Sequence, residues 1–415
     1  MMSKSSKFRA SLLATLLALP FAGLAALTLS TDASAQTVGG WRKEVAEKLQ
    51  AAQGAAQKGN FTEAIRLLKE AKAKAPLSPQ EEQGVNDYLI YAASSAKDHK
   101  LVLQTVDERL ATGRVTGADL ARKLRLKGTT QYSLHDYRGA AATFNQLSSQ
   151  GGLNGDDLAQ LGTCQIQLRD YRAAATTLER AIAAADKGGK GAKTTGPLLV
   201  NLQKAYFETG NDVKRMQTLH RLMAVAPSKD VYKWLANAHE KASAGDAVVK
   251  INLYRLGASR GLLSSEHYAK YAETALDVSS PGEAVAMLEK GMASGAIKKD
   301  DRNNRLLADA KSQVERLKTG LAQLERETIA TKNGEAEAKL AIAHFTLKNY
   351  AKATEAAKRG IVEDKLRRPD DLNMLLGIAL VETKKGPDAK NAFKAAAAAN
   401  TKVRDIADLW SSLTG

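Results

Sequence analysis

The sequence predicts an all-α chain, a solenoid of about ten helix pairs closed by a C-terminal capping helix, and three observations predict it. Asp136-Tyr137-Arg138-Gly139-Ala140-Ala141-Ala142-Thr143-Phe144 returns 34 residues later as Asp170-Tyr171-Arg172-Ala173-Ala174-Ala175-Thr176-Thr177-Leu178. A fixed period of that size marks stacked helix–turn–helix units. In both copies a small residue stands one helical turn before a large one, Ala140 before Phe144 and Ala174 before Leu178. The small residue lets two helices approach, and the large one fills the groove between them. An alanine-rich composition with 5% aromatics and 8 prolines favours helix over sheet.

The chain opens with Lys4, Lys7 and Arg9, then an apolar run from Ala10 to Leu29, then Ala33-Ser34-Ala35. This is the pattern of a secretory signal over 1–35, cleaved before Gln36, and Pro20, Gly23 and the small-residue site favour it over an uncleaved anchor. The remainder, 36–415, is expected in the periplasm after passage through the inner membrane. It has no further apolar stretch long enough to span a bilayer. The formal charge is +16, of which Lys4, Lys7, Arg9 and Asp32 hold +2. Outside the cytoplasm that excess points away from nucleic acid and toward acidic proteins, anionic cell-wall polymer or lipid headgroups. Cys164 is the only cysteine, so no intrachain disulfide can form, and it is expected as a small core residue.

Taken in order, Trp41 precedes a helix carrying Val45, Leu49 and Ala52, and its partner starts at Phe61 with Ala64 and Leu68 one turn apart. Pro76 and Pro79 close that unit, because proline cannot continue a helix. A degenerate pair follows, with Tyr88, Leu89 and Tyr91 on one helix and Val102 and Val106 on the other. The two clear copies come next, the second introduced by Leu158, Leu161 and Gly162. These pairs form the first block of repeats, 36–186.

Lys187-Gly188-Gly189-Lys190-Gly191-Ala192-Lys193-Thr194-Thr195-Gly196 lacks the Gly-Lys-Ser/Thr of a phosphate-cradling loop and follows no buried strand. It reads as a flexible Gly/Lys-rich insertion over 187–196. The second block, 197–400, begins with Leu199, Leu202 and Tyr206, turns at Gly210 and ends its second helix at Pro227. Val231 and Trp234 with Ala247 and Ile251, then Tyr268 and Tyr271 with Ala284 and Leu288, give two more pairs. Between Ala284 and Ala353 the pattern departs: Leu307, Ala310, Val314, Leu317, Leu321 and Leu324 alternate spacings of three and four. That seam would suit a coiled-coil dimer through 307–324, but it is short and interrupted by Gly320. A lengthened repeat pair within one chain is the favoured reading. The last pairs carry Tyr350, Ala353 and Ala357, then Leu376, Gly377 and Leu380 with Ala389 and Phe393. Val403, Ile406, Ala407, Trp410 and Leu413 form the stripe of a capping helix over 401–415.

No His-Glu-x-x-His, Cys-x-x-Cys or dinucleotide fingerprint occurs in the sequence, and the one Gly-x-Ser-x-Gly match, Gly257-Ala258-Ser259-Arg260-Gly261, follows the helical pattern of Ala247 and Ile251 instead of a strand. The six histidines lie in different repeats without metal-ligand spacing, and His135-Asp136 reads as a solvated turn pair. The expectation is therefore a non-enzymatic chain with no cofactor and no metal.

On the copies at Tyr137 and Tyr171 and the patterns at Leu202 and Leu376, the chain resembles the tetratricopeptide repeat (TPR) family, as an exported bacterial member. The resemblance covers nearly all of 36–415 and is weak around Val102 and Leu317. It implies a right-handed solenoid that binds proteins or peptides along a concave groove lined by the first helix of each pair.

If Leu199, Leu202 and Tyr206 face inward, then Asn201, Lys204 and Phe207 or Glu208 face that groove. The same offset selects Arg122, Arg125 and Tyr132, then Gln160 and Gln167, then Tyr232, Lys233 and Lys270. Basic and amide groups with aromatics among them suit an acidic extended peptide or a carboxylate terminus. The expected function is a periplasmic scaffold or adaptor for envelope proteins. The alternative is a basic structural binder of anionic cell wall or membrane surface.

Overall fold

The computed structural model describes residues 37–38, 40–74, 76–150, 152–242, 246–331, 333–363 and 366–414. The signal segment expected over 1–35 lies outside the described residues. The chain divides into two compact units, one through Ala184 and one from Ala185.

In the first unit a minimal antiparallel hairpin pairs β1 (Thr37–Val38) with β2 (Trp41–Arg42). Eight helices follow as four pairs: α1 (Lys43–Gln57) with α2 (Phe61–Lys72), and α3 (Pro79–Ser95) with α4 (His99–Ala111). Then come α5 (Gly117–Ser133) with α6 (Tyr137–Ser149), and α7 (Gly155–Gln167) with α8 (Tyr171–Lys187), which runs across the boundary.

The recurring Asp-Tyr-Arg stretch proves to be a turn and a helix cap. His135 and Arg169 each sit at φ near +60°, and the Asp that follows accepts a backbone N–H three residues on: Asp136 Oδ1 from Gly139 (2.9 Å), Asp170 Oδ1 from Ala173 (3.3 Å). Lys97-Asp98 and Gly210-Asn211 repeat the device. Each cap satisfies one of the orphan amides at a helix start and fixes the turn inside a pair.

The contact inside a pair is set sixteen residues apart. A Cβ placed on Gly128, Gly162 or Gly377 would stand 3.0, 2.7 or 2.4 Å from Phe144, Leu178 or Phe393. The large residue of each second helix therefore lies directly on the backbone of the first. At the chain's start, Trp41 covers Gly84 on α3, and Arg42 binds Glu81 through both its backbone N–H (2.8 Å) and its guanidinium. Burial alone would raise the Glu81 pKa, but Arg42 and the Ser78 capping box outweigh it and hold it at about 2.

The second unit holds α9 (Ala192–Glu208) with α10 (Asp212–Val225), α11 (Lys229–Ala242) with α12 (Ala247–Ser259), and α13 (Ser265–Asp277) with α14 (Pro281–Ala293). α15 (Asp301–Thr331) stands alone, followed by α16 (Gly334–Thr346) with α17 (Tyr350–Val362), α18 (Pro369–Glu382) with α19 (Gly386–Ala399), and α20 (Thr401–Leu413). Among the described residues the architecture is thus an all-α, TPR-like arrangement of nine helix pairs, with one long helix in the place of a tenth, and a closing helix. Residues 192–196, expected in a flexible insertion, are the opening of α9, with Gly191 at its N-cap.

The seam at 307–324 belongs to one continuous helix of 31 residues, not to a lengthened pair. Ala310 and Thr328 on this stripe are fully buried within the unit, while Leu307, Val314, Leu317, Leu321 and Leu324 are half-buried. The two ends of the stripe are therefore covered by the chain's own helices, α14 at one end and α16 at the other.

The closing helix does more than cap α19. Trp410 stacks on Phe393 (5.6 Å between rings), and α20 also meets α10 and α12. α16 likewise reaches back, for Thr346 Oγ1 accepts the Gly282 N–H of α14 at 2.7 Å. The second unit folds back on itself, where a simple stack would leave its last helices in contact with near neighbours alone.

Candidate protein-interaction face

Within each unit the first helices of successive pairs lie side by side, as α1 with α3, α5 with α7 and α16 with α18. Their outward stripes form the face on which the sequence places its candidate residues. Much of that face is closed by ion pairs that bridge one repeat to the next. Lys123 donates to Asp87 at 2.5 Å, and Arg125 to both oxygens of buried Asp157 at 2.9 Å. In the second unit Lys233 meets Glu266 at 3.0 Å, and Lys270 meets Glu240 at 2.9 Å. Burial works to raise the Glu240 pKa, but the hydrogen bonds from Lys270 and Tyr254 bring it below the usual carboxylate range.

Four of the sequence-selected residues therefore have other employment. Arg125 holds the Asp157 capping box of the next repeat. Lys233 and Lys270 are neutralised across α11 and α13. Tyr232 is fully buried, and its hydroxyl donates to the Leu253 carbonyl at 3.2 Å. It belongs to the core because Gly257, lacking a Cβ, leaves its ring room on α12.

The others remain at the surface to different degrees. Arg122 is exposed and bonds Asp119 on its own helix at 3.2 Å. Tyr132 is half-buried with its ring edge-on to Tyr137 at 5.9 Å. Gln167 is exposed, whereas the Gln160 side-chain oxygen is buried without a hydrogen-bond partner. The clearest grouping is on α9. Val200, Lys204 and Phe207 are exposed at i, i+4 and i+7, with half-buried Asn201 beside them. Phe207 is 57% exposed, and the Arg215 guanidinium of α10 lies 4.5 Å above its ring. Lys204 makes no ion pair among the described residues.

Sequence reasoning missed the acidic partners, although they carry a signal. Asp87, Asp157, Glu240 and Glu266 lie 30 to 36 residues from their basic partners, close to one repeat. A search for opposite charges at the repeat offset would have found them. It also missed that His220 of α10 and His239 of α11 share a hydrogen bond between their Nε2 atoms (2.8 Å).

Among the described residues no group of three or more His, Cys, Asp or Glu could hold a metal ion, and no helix is long and apolar enough to cross a membrane. Burial pushes the Cys164 thiol up to about 12, so it is an inert core residue.

No protein-family model and no curated protein matches the chain. Among solved structures it overlays on a tetratricopeptide repeat protein from Parabacteroides merdae with 15% identity, covering 65% of this chain and 99% of that one, at a TM-score of 0.36. It overlays on Naa15/Naa10 bound to HypK-THB with 15% identity, covering 88% of this chain and 54% of that one, at a TM-score of 0.39. The C-terminal part of a TPR repeat-containing protein from Cytophaga hutchinsonii gives 14% identity, 76% and 95% coverage and a TM-score of 0.33. Overlays this loose assign no family and no activity. The TPR-like character rests on the chain's own features: the 34-residue return, the Asp-capped turns and the glycine contacts sixteen residues apart.

Proposed function

We propose that this protein is a non-enzymatic scaffold that binds a protein partner on its first-helix face, with the α9 stripe as the point of strongest contact. The observation that carries this reading is the exposed Phe207 between Lys204 and Arg215, on a face whose other basic groups are largely paired. Binding energy concentrates in a few aromatic and arginine anchors surrounded by near-neutral contacts. A partner that complements this stripe carries an apolar side chain beside acidic groups, in keeping with an acidic peptide segment. An encounter in the cell envelope is the setting proposed for this binding, in keeping with the signal-like pattern of Lys4, Lys7, Arg9 and Ala33-Ser34-Ala35.

The test is a pull-down from envelope extract in parallel with isolated cell wall, each at low and high salt. A groove contact survives added salt better than diffuse attraction, which is screened beyond about 8 Å at physiological ionic strength. Retention on cell wall that falls steadily with salt, and equally for Phe207→Ala and wild type, would favour the basic polymer-binding alternative.

A further inference from the structure

Apart from the α9 face, the second unit contains a cavity of about 180 Å³ between α12, α16 and α18. Its walls are aliphatic, with Val248 and Ile251 on α12, Ile342 on α16, and Leu372 and Leu375 on α18. Glu335 and Asp371, both in first helical turns, mark where α16 and α18 begin at its mouth.

The charges around the mouth do not balance. Four carboxylates, those of Asp246, Glu335, Asp370 and Asp371, meet three cations, Lys339, Arg367 and Arg368. Glu335 takes Arg367. Asp370 takes Arg368 at 2.9 Å and the Asn400 amide at 2.8 Å, leaving Asp371 a share of the same Arg368 at 3.0 Å. Asp246 caps α12, and exposed Lys339 lies toward Glu335. Deeper in, Arg255 is matched by Glu283 at 2.6 Å and adds no free charge. The unmatched negative charge falls to Asp371. Its carboxyl is raised to about 7, first by burial and then by Asp370 and Asp246.

One neutral polar group faces the same space. Asn252 is 1% exposed and lines the cavity. Its carbonyl oxygen accepts from Arg255 Nη1 at 3.2 Å, and its amide NH₂ makes no hydrogen bond among the described residues. A donor that faces the cavity with no protein acceptor is open to a ligand oxygen.

We propose that this cavity binds an aliphatic α-aminoacyl group: its ammonium against Asp371, its carbonyl oxygen on the Asn252 amide, and its branched side chain among Ile251, Ile342, Leu372 and Leu375. The size fits, since an apolar cavity of about 150 Å³ accommodates a benzene molecule. The same chemistry is presented by a free aliphatic amino-acid amide and by the N-terminus of a peptide. Binding requires an ionised Asp371 and a protonated amine, whose pKa is about 8. Affinity therefore peaks between about pH 7 and 8 and falls on both sides.

The experiment is calorimetric titration of the full chain at pH 7.5 with leucinamide, Leu-Gly-Gly-amide and Nα-acetyl-leucinamide. The first two probes are expected to bind, and acetylation, which removes the charge, to weaken leucinamide by about tenfold or more. Asp371→Asn, with helicity unchanged by circular dichroism, is expected to give the same loss. Ala338→Leu, which fills the cavity from α16 and leaves the charges in place, is a second route to it. Tighter binding of the tripeptide amide identifies a peptide N-terminus as the ligand, and tighter binding of leucinamide a free amino-acid derivative. Equal binding of the acetylated probe, or no saturable binding by either amine, overturns the proposal.

Discussion

Trp410 donates its indole N–H to the backbone carbonyl of Asn252 at 3.0 Å, across 158 residues of chain. This bond joins the closing helix to α12 and ties the C-terminal end of the second unit back to its interior. Trp410 is 1% exposed, so both its ring and its N–H are committed to the interior.

Trp410→Ala should therefore destabilise the second unit by about 3–5 kcal/mol, the range for emptying a large buried aromatic site. Trp410→Phe keeps most of the packing but orphans the Asn252 carbonyl, and should cost about 1–2 kcal/mol. Urea unfolding followed by circular dichroism reads both. An unchanged curve for Trp410→Ala would mean that α20 does not dock on α12.

A second seam inside this unit is the buried pair of Arg255 on α12 and Glu283 on α14. Their charged ends are 2.6 Å apart, and the guanidinium lies 4.8 Å from the Phe345 ring of α16. Tyr271 and Ser280 complete the Glu283 shell at 2.8 and 2.7 Å. Glu283→Ala leaves a buried cation unpaired and should cost about 3–5 kcal/mol, whereas Arg255→Met with Glu283→Leu should recover much of that loss. A double variant no more stable than the single one would contradict this assignment.

Acid should loosen the same unit. Burial lowers the pKa of His220 to about 4 and that of His239 to about 3, and each ring further depresses or bonds the other. The backbone of Asp405 on α20 works the other way on His220. Because the unfolded chain binds these protons near pH 6.5 and the folded chain does not, the stabilisation is complete above about pH 6.5 and is lost as pH falls toward 4. The slope is about 1.4 kcal/mol per pH unit for each neutral histidine. Asp371, whose pKa is raised to about 7, contributes with the opposite sign throughout this window, so the comparison is best made in Asp371→Asn. Denaturation midpoints at pH 7.5 and 5.5 should separate in that background and converge when His220→Leu and His239→Leu are added.

Much of the fold was legible because it is periodic. Asp136 and Asp170 announce their turns, and Ala140 and Ala174 with Phe144 and Leu178 announce their helix contacts, all at the 34-residue offset. The return of α20 onto α12 was not legible, since a contact across 158 residues repeats nowhere and leaves no spacing to detect. The candidate face was legible only in part. Helical phase put Lys204 and Phe207 at the surface, but the same reasoning exposed Tyr232, whose environment depends on the missing Cβ of Gly257 on the next helix. Lys233 and Lys270 were placed at the surface without their partners, because phase on one helix is blind to the charge on its neighbour.

The most direct test of the binding role is the dissociation constant of a captured envelope partner for two matched double variants. Lys204→Ala with Phe207→Ala removes one cation and one exposed apolar side chain from α9. Lys299→Ala with Ile329→Ala removes the same kinds of group elsewhere on the second unit, where Ile329 is 66% exposed. Truncating a central anchor typically weakens binding by 2 kcal/mol or more, about thirtyfold, whereas remote surface changes are nearly neutral. The account predicts that loss for the α9 variant alone, with little change when salt is raised. Equal losses for the two variants, growing smaller together as salt rises, would contradict it.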